Sequence, residues 1–184
     1  PPSAIVVGNP ATFTLEISGS DDAAISTFTC SDPQAVFVFP AGTGLGGNEV
    51  MLGNGTHGFL LDTRVTGDLT VTVRVSDGSG HSVQRQCTVT SRYPKFSAMI
   101  RTMSSAALYS DSPMTLIIRS TEYAGDYTVS YTTTSTNCRV SYGGSMLRPD
   151  SPVTLEAGQH IFTANSSYAE RTEFVFTITD IYGQ

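Results

Sequence analysis

No tryptophan occurs in the 184 residues, and cysteine appears only as Cys30, Cys87 and Cys138. An odd count excludes a fully paired disulfide framework; the expectation is small buried thiols, with a Cys30–Cys87 bridge as the alternative. Charge is also scarce: 10 basic residues stand against 16 acidic ones, for a net charge of −6, and no basic cluster exists. That excludes a phosphate-binding surface, since nucleic-acid affinity comes from clustered Lys and Arg. No apolar run reaches the roughly 18 residues of a membrane span, and Pro1-Pro2-Ser3 lacks the basic and apolar regions of a signal peptide. No segment sustains a helical period, and no nucleophile elbow, phosphate loop or metalloprotease motif is present. The expectation is a protein that is not an enzyme, with no cofactor and no metal site.

What the chain does have is an internal repeat. Val50, Leu52, Gly55, His57, Phe59, Asp77 and Gly80 recur as Val153, Leu155, Gly158, His160, Phe162, Asp180 and Gly183, each 103 positions later. A unit near 100 residues is a common domain size. With 39% hydrophobic and 14% charged residues, both copies carry enough apolar content to fold. Two domains are expected, 1–92 and 93–184, with Ser91-Arg92-Tyr93-Pro94 as the joint.

Within each copy the period is two. Phe13, Leu15 and Ile17 alternate with Thr12, Thr14 and Glu16, and Leu69, Val71, Val73 and Val75 alternate with Thr70, Thr72, Arg74 and Ser76. Further strands are expected at Ala24 to Cys30, Ala35 to Phe39, Ser82 to Thr90 and Phe96 to Thr102. Pro40 to Asn48, with four glycines, reads as a loop, and Asn54-Gly55 as a tight hairpin turn. Pro113 to Arg119 is matched to Pro10 to Glu16 at the repeat spacing. Short strands joined by Gly, Asn, Asp and Pro corners predict an all-β fold of two tandem immunoglobulin-like β-sandwich domains. On this phasing the counterpart of Ser82 to Thr90 would fall beyond Gln184, so the second unit is expected to lack its last strand. An unpaired edge then runs beside Thr172 to Thr179.

Tyr123, the Tyr127-Thr128-Val129-Ser130-Tyr131 strand, Gly143-Gly144 to Leu147-Arg148-Pro149, Ala164 to Tyr168 and the closing Ile178-Thr179-Asp180-Ile181-Tyr182-Gly183-Gln184 resemble the TraQ family. Its members are immunoglobulin-like proteins of conjugative transposons in Bacteroidetes. The resemblance implies an exported protein, periplasmic or at the cell surface, linked to a transfer apparatus.

Two roles are therefore expected. One is a non-catalytic structural or assembly protein that binds protein partners, or itself, through β edges. The other is a surface adhesion or recognition module that binds glycan or host protein through loops. Tyr123, Tyr142, Tyr168 and Asn48, with the Gly42 to Asn48 loop, are the candidate binding residues, because Tyr offers rigid amphipathic area on loops. His57 and His160 read as structural. Asp77 and Asp180 read as turn formers that bond amides two residues on; calcium, with Asp21, Asp22 and Asp150 as further ligands, is the alternative.

Overall fold

The computed structural model describes residues 1–19, 22–40, 44–102 and 105–184. It is all β, with no helix among the described residues. The chain divides into two compact units, Pro1–Pro94 and Lys95–Gln184. The boundary lies beyond residue 92 because the Val7 amide still donates to the Arg92 carbonyl at 2.9 Å.

Unit 1 contains β1 (Ala4–Val6), β2 (Ala11–Ile17), β3 (Ala24–Cys30), β4 (Val36–Val38), β5 (Gly44–Gly46), β6 (Glu49–Leu52), β7 (Gly55–Asp62), β8 (Gly67–Ser76) and β9 (Ser82–Arg92). One sheet runs β1-β9-β8-β3-β6-β5 and the other β2-β7-β4. Their inward faces meet in a core built on phenylalanine. Phe28 from the first sheet lies 4.6 Å, ring to ring, from Phe59 of the second, and Phe59 stacks on Phe13 at 5.4 Å. Ile5, Val50, Leu61 and Val71 complete it, each 1% exposed or less. Alternation alone explains which side chains turn inward, since successive strand residues face opposite ways.

Unit 2 contains β10 (Ser97–Thr102), β11 (Ser112–Arg119), β12 (Tyr127–Thr133), β13 (Cys138–Tyr142), β14 (Ser145–Leu147), β15 (Val153–Leu155), β16 (Gly158–Ser166) and β17 (Phe174–Thr179). Its sheets run β10-β11-β16-β13-β14 and β15-β12-β17. The core joins Met114, Leu116 and Ile118 to Tyr127, Val129, Tyr131, Val140, Leu155 and Phe162.

The repeat holds at the level of strand register. Ile25 faces Ser76 as Thr128 faces Thr179. Ala24 faces Leu52 as Tyr127 faces Leu155, and Val36 faces Asp62 as Arg139 faces Asn165. Each pair of equivalents is 103 positions apart. A one-residue slip would turn every apolar side chain outward, so a shared register means a shared core plan.

Four sequence expectations need correction. Phe13 faces Phe59 while Met114 faces Phe162, so Phe13 corresponds to Met114, 101 positions on, and the match of Pro113 with Pro10 fails. Eight residues separate Ile118 from Tyr127 where six separate Ile17 from Ala24, and the longer connection absorbs the difference. Asn54-Gly55 is not a hairpin turn, because β6 belongs to one sheet and β7 to the other. Gly55, at φ +133°, instead swings the chain between sheets, as Gly158 does at φ +152°. The 40–48 stretch holds a short strand, β5, paired with β6. Lastly, the three cysteines are free and only partly buried. Cys30 and Cys87 both flank Val71, on opposite sides. Two strand spacings, about 10 Å, exceed what a disulfide spans.

Candidate functional site

The repeated histidines hold the crossing between sheets. The His57 ring nitrogen Nε2 lies 2.8 Å from the Gly53 carbonyl oxygen, and His160 Nε2 lies 2.8 Å from that of Glu156. A carbonyl only accepts, so Nε2 carries the proton in both rings. In His160 the other nitrogen, Nδ1, is then free to accept from the Tyr142 hydroxyl at 3.0 Å. Both rings latch the backbone just before a glycine of positive φ, which is a structural task.

The repeated aspartates build turns. Asp77 Oδ1 accepts from the amides of Ser79 and His81, each at 2.9 Å. Asp180 Oδ1 accepts from Tyr182 and Gln184 at the same distance. The backbone closes both turns, through Asp77 N–H to the His81 carbonyl at 3.0 Å and Asp180 N–H to that of Gln184 at 3.2 Å. Desolvation pushes the Asp77 carboxyl up, but the bonds from the His81 amide, the His81 ring and the Ser79 amide outweigh it. The group sits below the ordinary carboxylate value. Among the described residues no group of three His, Cys, Asp or Glu side chains could hold a metal ion. Asp21 lies outside the described residues.

The four candidate contact residues do not form one surface. Asn48 is in unit 1, where its carbonyl accepts the Phe28 amide at 2.9 Å and so fastens the chain to β3. Gly42 lies outside the described residues. Tyr123 packs edge-on to Tyr127 at 5.6 Å and to Tyr182 at 6.1 Å. Burial, and then the neighbouring Tyr182, Asp126, Asp180 and Tyr127, hold its hydroxyl above the ordinary phenol value. Tyr142 is engaged with His160 and stacks near Phe162 at 4.8 Å. Tyr168, 63% exposed, stands at the other end of unit 2, beyond the Cys138–Ser166 pairing.

The features that sequence reading partly missed are two open edges, one in each unit, on different strands. In unit 2, β10 covers the outer side of β11, while β17 has β12 as its only strand neighbour among the described residues. In unit 1, β9 covers β8, while β2 has only β7 beside it among the described residues. Each uncovered edge opens a cleft between its two sheets. The cleft of unit 1 measures about 510 Å³ and is lined by Leu15, Ile17, Val73 and Val75, with Glu16 and Arg85 at its rim. That of unit 2 measures about 600 Å³ and is lined by Leu108, Cys138, Ala164, Tyr168 and Phe174. Burial raises the Cys138 thiol; the Asn165 backbone lowers it less, and Glu170 raises it further.

No family model and no curated protein matches the chain. Two solved structures share distant likeness. One is the C-terminal domain of the AgI/II polypeptide BspA of Streptococcus agalactiae, at 9% identity and a TM-score of 0.33, covering 96% of this chain and 91% of that one. The other is the secreted serine protease VesC of Vibrio cholerae, at 8% identity and a TM-score of 0.27, covering 96% of this chain and 48% of that one. Neither likeness is close enough to carry an argument about function.

Proposed function

We propose that this protein is a non-catalytic structural or assembly component that binds other polypeptides, another copy of itself included, through exposed sheet edges. The observation that carries this reading is β17. Its six residues, Phe174-Val175-Phe176-Thr177-Ile178-Thr179, include no charge and no proline, and its pairing with β12 runs without a bulge. Proteins that keep a sheet edge solitary protect it with Lys, Pro or a bulge. An edge with none of these is suited to pairing. Loop-based recognition of glycan is the weaker reading, because Tyr123 and Tyr142 serve the fold and Tyr168 stands apart from them. Export and a link to a transfer apparatus rest on the family resemblance alone.

Sedimentation equilibrium from micromolar to millimolar concentration tests the reading. The expected result is reversible association that weakens in Val175→Lys, since Val175 is 60% exposed and lysine on an edge opposes pairing. A monomer throughout the range, with no effect of the substitution, would count against it.

A further inference from the structure

Resting on the edge-binding reading above, we propose that β17 and the cleft beside it form an acceptor for one antiparallel strand of a partner polypeptide, a strand with the chemistry of β9. Unit 1 supplies the template. There β9 lies against β8 with Val83 facing Val75, Arg85 facing Val73, Cys87 facing Val71 and Val89 facing Leu69. By the shared register, Val75, Val73, Val71 and Leu69 correspond to Ile178, Phe176, Phe174 and Thr172. The unit 2 residues lack the strand that covers their counterparts.

The consequences are local. In unit 1 the covered end is sealed: Val71 is 1% exposed, Leu69 3% and Val89 4%. In unit 2, Phe174 and Thr172 are only half-buried and line the cleft of about 600 Å³ with Leu108, Cys138 and Ala164. The cleft thus lies where the side chains equivalent to Cys87 and Val89 would enter. The inward residues Phe174, Phe176 and Ile178 already pack against the unit 2 core. An incoming strand would extend that core while its backbone pairs with the free edge.

The required chemistry follows. The partner segment is extended and free of proline. Small or branched apolar side chains occupy the alternate positions facing Phe174 and Thr172, and polar residues occupy the other face. Main-chain bonds give such strand addition its affinity, and side-chain pockets its selectivity.

The test uses the full chain and a synthetic peptide of its own Ser82–Arg92 sequence carrying Cys87→Val, so that the probe has no thiol. Two readouts are followed as peptide is added: amide exchange along Phe174–Thr179, and maleimide labelling of Cys138 in the cleft. The expected result is slowed exchange at the β17 amides and slowed labelling of Cys138, with no change at β2 or at Cys30. A control peptide with Arg85→Pro and Gln86→Pro should do neither, because proline removes the ladder donor. Unchanged exchange and labelling at millimolar peptide would overturn the proposal, as would equal activity of the proline peptide or protection confined to β2. If the peptide fails while self-association persists and responds to Val175→Lys, only the acceptor assignment falls; if both fail, the edge-binding reading falls with it.

Discussion

His160 Nε2 lies 2.8 Å from the Glu156 carbonyl oxygen, four residues back along the chain, where β15 gives way to β16. The same latch joins His57 to Gly53. A bond that recurs at equivalent places marks a shared folding requirement, and its removal should cost both units alike. His57→Ala and His160→Ala are each expected to lose about 1 kcal/mol, the net worth of one such hydrogen bond. Urea unfolding of the two variants measures the loss.

The phenylalanine cluster of unit 1 should be the least tolerant part of its core. Phe59 is 6% exposed and touches rings of both sheets. Phe59→Ala is expected to destabilise the unit by about 3–5 kcal/mol through lost burial and the cavity left behind. Phe59→Leu should cost less. Chemical denaturation of the pair orders the two.

A depressed carboxyl makes the Asp77 turn sensitive to acid. The folded value lies below the unfolded one, so its stabilising effect is fully present above the ordinary carboxylate value. It is lost as pH falls through the lower, folded value. The Ser79 and His81 amides should therefore exchange faster in that acid window. Asp77→Asn, which keeps an oxygen acceptor without the charge, should flatten the response. Amide exchange followed against pH checks the sign.

Cysteine chemistry gives a further check. Cys30 and Cys87 sit either side of Val71, too far apart to join. Mild oxidation should leave three titratable thiols in the denatured monomer. Cys138, whose thiol is raised chiefly by burial, should alkylate more slowly near pH 8 than a free thiol does, because the thiolate is the reactive form. Timed labelling with mass spectrometry reads both.

The buried Asp32 anchors the corner after β3. Its Oδ2 accepts from the Thr63 hydroxyl at 2.8 Å and its Oδ1 from the Gln34 amide at 2.9 Å. Asp32→Ala strands both donors, and a loss of about 1–3 kcal/mol is expected, readable as a lower urea midpoint. In the repeat Ser135 takes this place, accepting from the Asn137 amide at 3.0 Å and donating to Glu170. A shorter side chain there is compensated by a carboxylate from further along the chain.

By itself the sequence determined the all-β class, the inward and outward faces of β2, β3 and β8, and the equivalence of His57 with His160 and of Asp77 with Asp180. These follow from a period of two and from turn chemistry, which are properties of neighbours along the chain. Only tertiary structure decided which strands pair. Asn54-Gly55 has the local chemistry of a hairpin, yet each flanking strand gains more by joining a different sheet. Met114 takes the place of Phe13 because the longer connection before Tyr127 lets apolar faces, and not sequence spacing, set the match. The tyrosines looked alike in sequence, and packing sent Tyr142 to a histidine and Tyr168 to a cleft. The open sides differ for the same reason: burial depends on which strands lie next to each other in space, and no local pattern records that β9 covers β8 while β17 keeps a free edge.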